Sequence, residues 1–263
     1  TSISPEKHEL QVSFEGKVRT ESYYKLILSP GAKPFIPEIA GLDQAQNVFT
    51  LRNVPDLDRI MAHLTPETKT AVVIGAGFIG LEMAENLSKR GLAVTLIEKA
   101  PQVLPPLDIE MAAYVKNELI ASGVTVKTSA SALAFQAAGR EIVLDTGEVV
   151  TTDLTILSVG VQPETSLAQA AGLKLGIGGG ILVDEHYQTS APDVYAVGDA
   201  IVVKQQLTGQ DALIALASPA NRQGRQVADV LAGITRFNRG TIGSALVRVF
   251  GLTAASPCLR CAH

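Results

Sequence analysis

Residues 71–98 decide the fold. Ala71-Val-Val-Ile74 runs directly into Gly75-Ala-Gly77-Phe-Ile-Gly80, a helical stretch follows to Arg90, and after Gly91 comes Leu92-Ala-Val-Thr-Leu-Ile-Glu98. The first apolar run is too short for a helix and reads as a buried strand. From 79 to 90 the spacing turns helical: Ile79, Met83 and Leu87 share one face, and Glu85 and Lys89 form an i,i+4 pair on the face expected to be exposed. Gly91 stands where a left-handed C-terminal cap is wanted, and Leu92 to Glu98 is a second strand. Strand, tight turn, helix and strand within 28 residues make a βαβ unit.

The glycines each have a mechanical task in such a unit. Gly75 permits the sharp turn, Gly77 lets backbone approach a pyrophosphate, and Gly80 allows helix and strand to pack closely. The free N–H groups of Phe78, Ile79 and Gly80, at the positive end of the helix dipole, would receive the phosphates. Glu98, about 20 residues downstream, is placed to accept hydrogen bonds from a ribose 2′-hydroxyl. A lone G-x-G-x-x-G is a weak signal; strand, turn, helix, strand and acid together are a strong one. The expectation is a site for NAD(H), preferred over NADP(H) because the carboxylate repels a 2′-phosphate. Lys99 is a neighbouring cation that could accommodate such a phosphate, and a ligand-free glycine turn is the plain alternative.

Composition agrees with a folded α/β protein. Apolar residues make up 46% and charged residues 18% of 263, enough for one large or two modest cores. With no Trp and few aromatics, the core must rest on Val, Ile, Leu and Ala, which suits a parallel sheet covered by helices on both faces. A net charge of −4 without a basic cluster argues against a nucleic-acid partner. No apolar run approaches the roughly 18 residues of a membrane span, and no signal peptide opens the chain. The cysteines, Cys258 and Cys261, lie within the last six residues, so no disulfide framework is expected. The expected location is cytoplasmic. The start at Thr1 and the stop at His263 both read as cuts through a larger protein.

Working outward, residues 8–14 alternate as a strand, turn at Glu15-Gly16-Lys17, and resume from Val18. Tyr24 to Ser29 is a short buried strand stopped by Pro30-Gly31, and Pro34 and Pro37 make 30–40 an extended connector. Leu51 to Leu64 reads as a short helix. Asp108 is positioned to cap a helix reaching Ser122 and ended by Gly123, with a strand over 124–129. Residues 131–158 read as an antiparallel meander. A glycine-rich loop, 176–180, precedes a strand at 181–183, and Asp193 to Val197 is a further buried strand ending at Gly198-Asp199. Ser218 as cap and Pro219 as first helical residue open a helix to Leu231, and 241–252 begins a strand-bearing segment.

These segments together resemble the FAD-dependent pyridine nucleotide–disulfide oxidoreductases, in the branch of coenzyme A-disulfide reductases, NADH oxidases and NADH-dependent persulfide reductases. The resemblance rests on Tyr24 to Pro34, the 71–98 unit, Gly160-Val-Gln-Pro-Glu164, Thr189 to Asp199, Leu216 to Arg225 and Gly240 to Gly243, in that order. It implies a Rossmann-like NAD(H) domain, with parallel sheet, helices and meander, inserted into a partial FAD-binding domain. The implied bounds are 1–70 and 187–238 for the FAD domain, 71–186 for the NAD(H) domain, and 239–263 for the start of a dimer-interface domain. It also implies hydride transfer from NADH through flavin to a small-molecule disulfide, persulfide or oxygen, in a homodimer.

Roles carry over residue by residue. Phe78 resembles an aromatic over the flavin face, although a core aromatic at a helix start has the same sequence. Glu82 resembles a carboxylate near the nicotinamide; a solvated helix charge is its alternative. Gly160 resembles the glycine where backbone meets the NAD adenosine. Asp199, after Gly198, resembles the carboxylate that binds the ribityl hydroxyls of FAD. The helix at Pro219 and Ala220 resembles one whose N-terminus faces the flavin.

Two features depart from the family. Nothing before Ala71 matches its first glycine-rich unit, so the FAD site is partial, and no cysteine precedes Cys258 to act as the redox nucleophile. No residue is therefore assigned a catalytic role. Cys258-Leu-Arg-Cys261 with His263 is one ligand short of a closed zinc site and reads as an incidental tail. Alternatives to an oxidoreductase are a catalytically silent NAD(H)-binding module and a truncated gene product.

Overall fold

The structure, a computed structural model, describes residues 1–256. The chain forms two compact units, one of Pro34–Gly160 with the segment from Ser244, the other of Thr1–Lys33 with Val161–Gly243.

The first unit is built on a five-stranded parallel sheet in the order Val48–Phe49, Leu154–Leu157, Thr70–Ile74, Ala93–Glu98, Thr125–Thr128. Alternation along the central strand splits its apolar residues between two cores. Ala71 and Val73 join Leu96 and Ile156 beneath the helices Val54–His63, Phe78–Lys89 and Ile109–Ala121. Val72 and Ile74 join Ile97 and Leu157 on the opposite face. That second face is covered by an antiparallel meander, Ala132–Gln136, Glu141–Leu144 and Val149–Thr151, not by the helices expected there. The meander presents Phe135, Ile142 and Leu144 inward and so buries the sheet as a helix would. It also ends earlier than the sequence pattern suggests. Leu154–Leu157 is buried at every position and inserts into the parallel sheet instead.

The helix Phe78–Lys89 differs from its amphipathic reading in one respect. Met83 and Leu87 are buried as expected, but Ile79 is 37% exposed and Glu85 only 8%. Glu85 is covered by a hairpin, Ala245–Val249 with Leu252–Ser256, whose Val247 and Val249 enter the same core. Glu85 accepts the Phe250 N–H at 2.8 Å and is paired with Lys89, while Glu118 accepts the Gly251 N–H at 2.8 Å. Two carboxylates thus satisfy the backbone donors of the hairpin turn.

Local signals explain the helix starts. Asn53 and Asp56 form a reciprocal capping box on Val54–His63. Asp108 sits at the N-cap of Ile109–Ala121, but its side chain makes no capping bond.

In the second unit, Leu26–Leu28 pairs in parallel with Val194–Ala196, and Ser2–Ser4, Glu9–Phe14 and Lys17–Ser22 form an antiparallel sheet. Val194, Ala196, Ile201 and Val227 are among its buried residues. Lys33 and Glu164 form an ion pair at 3.1 Å. Residues 181–183 make isolated bridges through Ile181 rather than a strand, because the preceding glycines curl into a 3-10 turn, Ile177–Gly179. The last helix, Ala217–Leu231, begins with Leu216 as N-cap, two residues earlier than Ser218-Pro219 suggested. Pro219 is accommodated inside the first turn, where its missing N–H has no intrahelical partner to lose.

Candidate functional site

In the first unit the strand Thr70–Ile74 ends at a loop gripped from both sides. Gly75 has φ +102°, and a Cβ there would lie 2.4 Å from the Ser158 carbonyl oxygen. A Cβ on Gly80 would stand 1.8 Å from the Gly75 carbonyl oxygen, so helix and loop touch backbone to backbone. At Gly77 the reverse holds: a Cβ would meet nothing within 4 Å. Two glycines are needed for contact inside the protein, and the third borders open space at the helix start. Gly77 is the N-cap of Phe78–Lys89, which has no side-chain cap and no acidic residue in its first turn. Its positive end is thus not countered by any acid of its own first turn.

Glu98 closes the strand next door. Its carboxylate accepts the Ala76 N–H at 2.6 Å and the Ala100 N–H at 2.8 Å. The acid is thus tied to the glycine loop itself, and each oxygen keeps a lone pair for a further donor. The loop is also anchored by Gly75 N–H to the Ile97 carbonyl and by Leu104 N–H to the Ala76 carbonyl, both 2.8 Å.

The remaining residues singled out in this unit take different settings. Phe78 is half-buried and packs against the helix-side core. Ile79 faces outward beside it. Glu82 is exposed, and among the described residues its carboxylate has no hydrogen bond or ion pair. Gly160 has φ +117° with open space at its Cβ position, and its carbonyl accepts the Phe35 N–H at 2.9 Å. The sequence did not point to Ser158, two residues earlier, whose hydroxyl lies 3.0 Å from both the Ile74 and the Gly75 carbonyl oxygens.

The second unit holds a cavity of about 390 Å³ at the turn Gly198–Ala200, lined in part by Ser29, Gly31, Gly198, Asp199, Ala220 and Gly224. Asp199 is the notable side chain. Its Oδ1 is buried without a partner, and burial pushes its carboxyl above the usual carboxylate range. A buried acceptor with no donor is costly unless something supplies one. Gly198 has φ +85°, and its N–H is held by the buried Gln223 at 2.7 Å. Pro219 is buried in the first turn of Ala217–Leu231, and Ala220 and Gly224 line the cavity with little or no side chain. Gln223 and Gly224 each carry a signal in the sequence. Gln223 lies inside the quoted 216–225 stretch, and a glycine mid-helix costs roughly 1 kcal/mol against alanine, a penalty that needs a reason.

Among the described residues no three His, Cys, Asp or Glu side chains gather as a metal site, and no helix is long and apolar enough to cross a membrane. Cys258, Cys261 and His263 lie outside the described residues.

A sequence model of pyridine nucleotide-disulphide oxidoreductases matches residues 1–224. The chain belongs to this family. It is 37% identical over 259 residues to an NADH oxidase of Methanocaldococcus jannaschii, covering 95% of the chain and 57% of that protein. Among solved structures, the reduced CoADR-RHD of Bacillus anthracis superposes with a TM-score of 0.95 at 47% identity, over 97% of this chain and 46% of that one. An NAD-dependent persulfide reductase of A. fulgidus gives 0.94 at 34%, over 97% and 48%. The chain spans about half the length of the curated relatives it matches. The family fold is the Rossmann-type α/β architecture described above.

Proposed function

We propose that the chain is the NADH-handling part, with part of the FAD site, of an oxidoreductase that passes hydride from NADH through flavin to a disulfide, persulfide or oxygen. The observation that carries this is the division of labour among the glycines: Gly75 and Gly80 closed against backbone, Gly77 facing open space at an uncapped helix N-terminus. That is the shape a diphosphate requires. The names of the relatives, an NADH oxidase and an NAD-dependent persulfide reductase, support the same cofactor and the range of acceptors.

In this reading the backbone N–H groups at Phe78, Ile79 and Gly80 bind the diphosphate, and Gly77 admits it. Glu98 accepts the adenosine ribose hydroxyls and, being pinned by Ala76 and Ala100, resists a 2′-phosphate, so NADH is preferred over NADPH. Gly160 borders the dinucleotide with its unobstructed backbone, while Phe78 and Glu82 stand at the helix start for the nicotinamide side. Asp199, with its unpaired buried oxygen, accepts hydroxyls of the ribityl chain, and Gly198, Pro219 and Ala220 shape the space around the flavin. When bound, the nicotinamide supplies hydride and the flavin takes it up and hands the electrons on. A second reading, an NAD(H)-binding module without turnover, rests on the same glycine loop, which needs no flavin to receive a diphosphate.

Calorimetric titration with NADH and NADPH tests the proposal. NADH binds more tightly, and Glu98→Ala weakens NADH by roughly ten- to a hundredfold, the loss expected for hydrogen bonds to a charged group, while narrowing the preference. Unchanged NADH affinity in the variant would sink the role given to Glu98. The absorbance of the purified protein separates the two readings: bound yellow flavin supports the oxidoreductase, colourless protein that binds NADH the module.

A further inference from the structure

The glycine loop is held by a side chain from each flanking strand, and only one of them is the acid at Glu98. The other is Ser158, which follows the strand Leu154–Leu157 on the opposite side of Thr70–Ile74. Its N–H donates to the Ile74 carbonyl at 2.8 Å. Its hydroxyl lies 3.0 Å from the carbonyl oxygens of both Ile74 and Gly75. A Cβ added to Gly80 would come within 2.8 Å of the same hydroxyl. One oxygen therefore touches the end of the strand, the first glycine and the third.

The electrostatic consequence concerns the direction of the Gly75 peptide. Its carbonyl points into the crevice between helix and sheet, 1.8 Å from where a Gly80 Cβ would be. There it receives the one hydroxyl proton, shared with Ile74. If that carbonyl swung outward, a negative dipole end would face the incoming diphosphate, and the Ala76 N–H would leave its Glu98 partner. We propose that Ser158 is a positioning residue for dinucleotide binding: its hydroxyl fixes the Gly75 carbonyl inward, so that the Ala76 N–H stays on Glu98 and the helix N-terminus faces the phosphates. Glu98 holds the N–H side of the loop and Ser158 the C=O side. This rests on the proposed NADH site.

The test compares the full chain with Ser158→Ala and Ser158→Thr by calorimetry with NADH and ADP-ribose. Saturation-transfer NMR with adenosine, which lacks phosphate, is run alongside, with melting temperatures recorded. Ser158→Ala is expected to weaken NADH and ADP-ribose roughly tenfold, leave adenosine contacts unchanged, and be rescued by the hydroxyl of Ser158→Thr. Native NADH affinity in Ser158→Ala overturns the proposal. So does a loss that extends equally to adenosine and tracks a fall in melting temperature, since that marks a purely structural contact. If the unmodified chain binds neither NADH nor ADP-ribose, the NADH site itself is wrong and the role of Ser158 falls with it.

Discussion

At the scale of single residues, Asp199 is an unfavourable contact in the wall of a cavity. A buried carboxyl oxygen without a protein donor is costly, and the proposed flavin contact would supply one. Burial raises the Asp199 carboxyl above its ordinary value, so the folded protein holds a proton that the unfolded chain has already released. The folded form then binds more protons than the unfolded one, and the contribution to stability falls as pH rises. It is fully present below the ordinary aspartate range and is lost as pH climbs through the raised folded value. Asp199→Asn cannot titrate, so its stability relative to the unmodified protein should rise with pH from about 4 and then level off. Urea denaturation across pH 3.5 to about 8 measures the slope. A pH-independent difference would remove the claim of a raised carboxyl. The same variant should retain flavin less well, because an amide presents one acceptor oxygen and no charge.

Among the elements, the hairpin Ala245–Val249 with Leu252–Ser256 is bound to the helix Phe78–Lys89 by more than apolar contact. Burial opposes ionisation of Glu85, but Lys89 and the Phe250 N–H outweigh it and hold the carboxyl below its usual range. Stabilisation from that charge is present above the ordinary glutamate value and fades as pH falls through the lowered one. Glu85→Ala leaves the Phe250 N–H without a partner and should cost about 1–3 kcal/mol, with faster amide exchange at Phe250. Native stability in this variant would show the bond to be incidental. The same helix shows what a sequence can reveal. Its apolar spacing named Met83 and Leu87 correctly because the sheet below is close in sequence and imposes a regular face. It misplaced Glu85 because the cover comes from 165 residues away and carries its polar partner on the backbone, which no side-chain pattern records. The glycine loop was legible because backbone geometry allows so few residue types at Gly75 and Gly80. Ser158 was not, since a serine two places before a glycine has no pattern until the strands are assembled. The meander was legible in its turns, at Gly139 and Gly147, but not in where it ended, because Leu154–Leu157 is apolar in either setting.

For the molecule as a whole, the two compact units bury separate sets of residues, and each proposed cofactor contact falls within one of them. Val73, Leu96 and Ile156 belong to the unit with the glycine loop; Val194, Ala196 and Ile201 to the unit with Asp199. A ligand stabilises only those openings that abolish its site, by RT ln(1 + [L]/Kd), about 2.7 kcal/mol at a hundredfold excess over Kd. NADH should therefore slow amide exchange in Thr70–Ile74, Ala93–Glu98 and Leu154–Leu157 by up to that amount, and leave Leu26–Leu28 and Val194–Ala196 unchanged. The strand ends at Gly75 and Glu98, which carry the proposed NADH site, should gain most. Hydrogen exchange on the full chain, with and without NADH, reads both units in one experiment. Equal protection of Val194–Ala196 would mean that the units open together, and that occupancy of one cofactor site is felt energetically at the other. Protection confined to the first unit would mean that NADH affinity is set wholly by residues 34–160 and the hairpin that Glu85 and Glu118 hold in place.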